Sequence, residues 1–169
     1  MEIHLVPETG VRLPPVCQLA FGAAEHDVVS ALTSIGDVQE AFVCRFRAEA
    51  PLSAKMLALG DVTMTFGFSG MPGALHTVGV GRSADDQTGA VAVVFDDVDL
   101  FGWPADEVVA ALRDVGHEVH HPGSGNVWID GQLWLYYQPR GGTTPAGRKP
   151  RWEPPRYLNY VCLYSPHPD

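Results

Sequence analysis

The sequence predicts an α+β fold made of two tandem helix-plus-antiparallel-sheet repeats, about eight strands in all, with two helices packed on one face. Three observations predict it. A sixteen-residue unit occurs twice: Phe21-Gly22, Val28-Val29, Ala31-Leu32 and Gly36 return eighty residues later as Phe101-Gly102, Val108-Val109, Ala111-Leu112 and Gly116. Self-similarity at one offset is the mark of a duplicated unit. Each copy has the apolar period of a helix, and each is followed by stretches that alternate with period two. A helix and a small sheet hide their apolar faces on each other, which gives the layering. The repeats divide at residues 1–89 and 90–169, or join through their sheets into one continuous domain.

Taken in order, residues 1–20 read as an extended lead-in broken by Pro7, Pro14 and Pro15. The first helix spans about 24–35, with Glu25 and Asp27 at its positive end and Val28, Leu32 and Ile35 as its stripe. Gly36 ends it. Glu40 to Arg47 alternates, with Phe42, Cys44 and Phe46 on one side, as a half-buried strand does. Residues 48–60 read as a connector with at most one helical turn. Val62 to Ser69 and Leu75 to Arg82 read as a hairpin around Ser69-Gly70-Met71-Pro72-Gly73, a turn by composition. Ala84 to Gly89 is a solvated loop.

The second copy opens with an apolar strand, Ala90 to Phe95, that feeds Asp96-Asp97-Val98-Asp99. Its helix, 104–115, is the cleaner of the two. Pro104 suits a first helical position, Asp106 and Glu107 fall in the first turn and Arg113 in the last. Val108, Leu112 and Val115 form the stripe, and Gly116 supplies a left-handed stop. Val127 to Ile129, Asp130-Gly131 and Gln132 to Gln138 predict a hairpin with a two-residue type I′ turn. Pro139 to Arg156 has no period and reads as a long loop. Tyr157 to Tyr164 closes the sheet.

Composition excludes several classes. A hydrophobic content of 46% with 18% charged residues is globular rather than disordered. No signal peptide and no apolar run of membrane-spanning length are legible. Cys17, Cys44 and Cys162 make an odd count without CxxC spacing, which points to free thiols and a cytoplasmic setting. The net charge is −9, and residues 140–156 carry a local +4, leaving −13 on the rest. Such a body repels a phosphate backbone, so nucleic acid is not an expected partner. A basic protein is compatible with it through complementary fields.

Candidate chemistry is sparse. His117-Glu118-Val119-His120-His121 matches the HExxH string of zinc peptidases, a chemistry that needs a helix to bring both histidines to one metal. Gly116 before the string and Pro122-Gly123 after it place it beyond a helix stop. On a strand His117 and His121 would stand about 13 Å apart, too far to share one zinc. The zinc-hydrolase reading with His117, Glu118 and His121 is therefore the alternative, and the leading reading carries no metal, no cofactor and no catalytic residue. Asp96, Asp97 and Asp99 lack EF-hand spacing, Gly123-Ser124-Gly125 lacks a nucleophile-elbow setting, and Gly79-Val80-Gly81 lacks the helix of a phosphate loop. A small-ligand pocket between sheet and helices is a third reading, with no residue to discriminate it.

The aromatic residues are more informative. All four tryptophans and all five tyrosines lie after residue 100. If the Leu and Val residues alternating with them pack under the helix, Trp134, Tyr136, Tyr160 and Tyr164 stand on the opposite sheet face. Rings of this kind on an open surface are the hot spots of protein interfaces. The 139–156 loop is the competing cover for that face.

Two tandem helix-plus-sheet units, each opened by Phe-Gly, resemble the layout of the β-lactamase inhibitory protein. There a curved sheet grips an enzyme with aromatic side chains while helices lie behind. The Phe-Gly-x5-Val-x3-Leu signature is also similar to the helix start of BamE-type lipoproteins of outer-membrane assembly and of small bacterial immunity-type proteins. The resemblance covers residues 21–36 and 101–116 and carries architecture alone. Together with the acidic body and the aromatic sheet face, it leads to the expectation of a non-enzymatic protein-binding module, an immunity or inhibitor protein, acting through that face.

Overall fold

A computed structural model describes residues 1–15, 17–41, 53–70, 73–82, 89–121, 126–136 and 157–166. Strands β1 (Glu2–Val6), β2 (Gly10–Leu13) and β3 (Cys17–Ala20) lead into helix α1 (Glu25–Thr33). A meander follows: β4 (Val38–Glu40), β5 (Ser53–Leu59), β6 (Val62–Ser69) and β7 (Ala74–Arg82). Then β8 (Ala92–Phe95) and β9 (Val98–Asp99) lead into helix α2 (Ala105–Asp114). A second meander completes the described chain: β10 (Val119–His120), β11 (Val127–Ile129), β12 (Leu133–Tyr136) and β13 (Tyr160–Tyr164). The fold is mixed α+β and mostly sheet. No helix among the described residues is long and apolar enough to cross a membrane.

The strands form two sheets. One has eight strands in the order β10-β11-β12-β13-β7-β6-β5-β4, all antiparallel. Each meander supplies one wing, and the last strand of each, β13 and β7, pair at the centre. The other has five strands in the order β3-β2-β1-β8-β9, with β1 parallel to β8. Both stretches of chain therefore contribute to both sheets.

The five-stranded sheet exceeds the eight strands expected. The prolines expected to break residues 1–20 lie between strands instead, and Ile3, Leu5, Val11, Leu13 and Leu19 alternate into the core. The connector expected at 48–60 is also a strand over its described part. Ser53–Leu59 is rich in Ala, Lys, Met and Leu, residues that favour helix in isolation. Its full ladder with β6, from Ser53↔Phe68 to Leu59↔Val62, overrides that preference. The expected strand residues Phe42, Cys44 and Phe46, and the 139–156 loop, lie outside the described residues.

The two helix ends differ from each other. Gly116 is left-handed at φ +102°, as its stop requires. Gly36 is not left-handed, so the expected left-handed stop is absent there; a Cβ would meet only the tip of the Leu57 side chain, at 2.9 Å. Val28, Leu32, Val108 and Leu112 are buried, but Val115 is 57% exposed because α2 ends one residue before it. Phe101 is buried and Phe21 half-buried, both against the core.

One core draws on both sheets and both helices. In the eight-stranded sheet its inner rows are Leu57, Met64, Phe66, Val78 and Val80 on one wing, and Val127, Ile129, Leu133, Leu135, Val161 and Leu163 on the other. Two ion-paired cations, Lys55 and Arg82, sit at its rim. Lys55 bridges Glu25 at 3.1 Å and Glu40, and hydrogen bonding to Glu40 is the main reason its ammonium is held above the usual lysine range. Arg82 meets Asp61 at 2.7 Å, donates to the Val91 carbonyl, and lies over the Phe101 ring.

Candidate functional site

The register of the eight-stranded sheet assigns each side chain a face, because residues directly opposed across antiparallel strands share one. Trp134 is opposed to Cys162, and Tyr136 to Tyr160. Cys162 is opposed to Gly79, Tyr160 to Gly81 and Tyr164 to Thr77. All four expected aromatic residues thus stand on the outer face, away from Val161, Leu163, Leu133 and Leu135. Trp128 joins them, opposed to Trp134.

Trp128 escapes sequence reasoning because of one residue in the turn. Asp130 (φ +49°) and Gly131 (φ +71°) are both left-handed, as a type I′ turn demands. The ladder nevertheless resumes one residue later than a two-residue loop allows, with Ile129 opposite Leu133 rather than Gln132. A shift of one residue exchanges the faces of a strand. A two-residue loop would set Trp128 against Leu133; the observed loop sets it against Trp134.

The five rings form a continuous chain. Tyr164 lies 5.3 Å from Trp128, Trp128 4.7 Å from Trp134, Trp134 5.5 Å from Tyr136, and Tyr136 5.7 Å from Tyr160. Two contacts are edge-to-face and two tilted, geometries that aromatic quadrupoles favour. Tyr136 is 37% exposed; the other four are half-buried. Tyr160 leans over the neighbouring wing. A Cβ on Gly79 would collide with its hydroxyl, and one on Gly81 would reach its ring at 3.2 Å. This explains the Gly79-Val80-Gly81 spacing without any phosphate. Burial pushes the Tyr160 phenol well up and the Cys162 thiol beside it to about 12.

The other wing of the outer face is low. Gln39, Met56 and Thr65 continue the row of Trp134, while Ala58 and Thr63 continue the row of Tyr136 and Tyr160. Among the described strands this whole face carries no Asp, Glu, Lys or Arg. The nearest carboxylates stand at its two edges: Glu118 pairs with the outer His120 at 3.3 Å, and Asp37 accepts from the outer Gln39 at 3.1 Å.

The HExxH string runs through a turn and strand β10, outside α2. His117 Nδ1 is 2.5 Å from Asp130 and its Nε2 3.0 Å from Asp96, with the Phe95 ring 5.2 Å away. This clamps the β8–β9 turn to the β11–β12 turn. His121 accepts from Arg113 at 2.9 Å, and Glu118 pairs with His120 at 3.3 Å. The two histidines of the motif are thus engaged by different partners. No group of three or more potential metal ligands occurs among the described residues. Asp96 and Asp97 are the two left-handed residues of a tight turn, and Asp99 accepts from the Phe101 and Gly102 amides, so these carboxylates organise backbone. Ser124 lies outside the described residues.

A polar cleft of about 380 Å³ opens beside β1 and the end of β7, lined by Glu2, Arg82, Val91, Asp99 and Gly102 among others. Its guanidinium is already held by Asp61 and the Val91 carbonyl. The aromatic face is the more distinctive feature. No protein-family model, no curated protein and no solved structure matches the chain.

Proposed function

We propose that this chain is a non-enzymatic protein-binding module that holds its partner with the outer face of the eight-stranded sheet. The observation that carries this reading is the unbroken run of five rings on a face whose described strand residues bear no formal charge. Tyrosine and tryptophan give large contact areas at low entropy cost and dominate interface energetics. A face without charges is also desolvated cheaply. Trp134, Tyr136, Tyr160 and Tyr164, joined by Trp128, are the contact residues.

We infer further that the two wings descend from one duplicated helix-plus-sheet unit with both helices on the inner face, a layout like that of the β-lactamase inhibitory protein. Support comes from the seven identities at one offset, from four-strand meanders after each helix, and from the single core that both helices enter. The role is that of an immunity or inhibitor protein in the cytoplasm, a setting that suits the free thiols Cys17 and Cys162. The net charge of −9 speeds approach of a basic partner, and the neutral face makes the contact.

A photo-reactive phenylalanine analogue at position 136, introduced in cells, tests this. Covalent adducts to another polypeptide are expected there, and none with the same group at Trp103, which is 56% exposed but off the sheet. Equal labelling at both positions, or none at 136, would sink the reading.

A further inference from the structure

The outer face is uneven in a way that fits itself. One wing stands tall with Trp128, Trp134 and Tyr136; the other is floored by Met56, Thr65 and Thr63. We propose that the partner is a second copy of this chain, docked face to face about a two-fold axis parallel to the strands and centred over the β13–β7 seam. This rests on the reading of this face as a protein contact and puts a second copy there in place of a basic partner.

The register makes the fit specific. Rotation about such an axis carries each strand onto its counterpart across the seam and keeps its position along the strand. Strand β12 then lies over β6 of the other copy, and β11 over β5. Trp134 and Thr65 belong to one transverse row, so Trp134 meets Thr65. Tyr136 and Thr63 belong to the next, so Tyr136 meets Thr63. Trp128 meets Met56, a sulfur–aromatic contact. Ridge meets floor at these three positions, while at the seam the two Tyr160 rings, each over its own Gly79 and Gly81, lie side by side; the contact is isologous, as a closed dimer requires.

Charge selects the same face. Two bodies of −9 repel, so copies can approach closely only through a patch that adds no like charges. The described strand residues of this face meet that condition, and the nearest carboxylates, Glu118 beside His120 and Asp37 beside Gln39, stand only at its two edges. The area is also adequate. Counting only the outer positions the strands fill, one each on β4, β10 and β11, at about 4.8 Å by 6.6 Å per position, gives roughly 540 Å² per copy or about 1,100 Å² in total, just above the about 1,000 Å² a biological interface needs.

The test is sedimentation equilibrium of the full chain over a concentration series. The wild type is expected to dimerise. Thr63→Arg and Tyr136→Glu, both at exposed positions, should each weaken the dimer at least tenfold. A mixture of the two variants should recover to within about threefold of wild type, because the introduced carboxylate of one copy then faces the introduced guanidinium of the other. Should either variant fail to fold by circular dichroism, the reversed pair Thr63→Glu and Tyr136→Arg carries the same test. A wild type that stays monomeric, or single variants that dimerise normally, or a mixture that does not recover, overturns the proposal. A monomeric wild type that still forms adducts with a different protein at position 136 overturns self-docking alone and leaves the protein-contact reading standing.

Discussion

The two wings of the eight-stranded sheet share one chemistry on the inner face and differ on the outer. Inside, Leu57, Met64, Phe66, Val78 and Val80 face the same core as Val127, Ile129, Leu133, Leu135, Val161 and Leu163. Outside, β5 and β6 carry Met56, Ala58, Thr63 and Thr65, whereas β11 to β13 carry Trp128, Trp134, Tyr136, Tyr160 and Tyr164. Packing at interior density constrains the inner rows alike. Nothing in the core constrains the outer rows, and they diverge. The aromatic wing is therefore where the proposed contact falls.

The largest expected effect tests the inner similarity. Phe66→Ala should cost about 3–5 kcal/mol and Leu135→Ala about 2–5 kcal/mol in denaturant unfolding. A loss below about 1 kcal/mol for either would show that its wing is not bound to the shared core. Next comes the seam. Gly79→Val should cost about 1–3 kcal/mol, since the new side chain would occupy the space of Tyr160. Tyr160→Ala in the same chain should then give back part of that loss, a coupling that a double-mutant cycle reads directly.

Alkaline titration separates the wings by a different route. Cys162, with its thiol pushed to about 12, and Tyr160, also raised, stay protonated in the fold where the unfolded chain would lose the protons. Their contribution is complete below about pH 9 and is lost as pH rises toward the folded values, at up to about 1.4 kcal/mol per pH unit for each proton. Cys162→Ala should remove one proton from that slope; an unchanged slope between pH 9 and 12 would refute the burial of the thiol. The smallest effect is expected on the low wing. Thr63→Val, at an exposed position, should change stability by no more than about 0.5 kcal/mol. A larger change would mean that the low wing is structurally constrained after all.

Much of the helix and hairpin pattern was legible because period and punctuation agreed. Val108 and Leu112 with Gly116, and Val62 to Ser69 with its return strand, needed no tertiary information. The alternation Leu133-Trp134-Leu135-Tyr136 likewise separates inner from outer residues in the sheet as it does on paper. The first sheet was not legible, because Pro7, Pro14 and Pro15 look like interruptions until their neighbours are seen paired. Strand β5 was not legible because its helix-favouring composition is overruled by β6. Trp128 was missed for the subtlest reason, a single extra loop residue at Gln132 that reverses its face.

The pairing of β7 with β13 joins residues 77–81 to residues 160–164. During synthesis the backbone of β7 must therefore wait, with its amides and carbonyls unmatched on one side, until almost the whole described chain has emerged. An uncovered strand border of this kind is a template for intermolecular pairing. Chains truncated before Tyr160 are accordingly expected to clump rather than persist as a half-built wing, and the final strand acts as the clasp that makes the product safe.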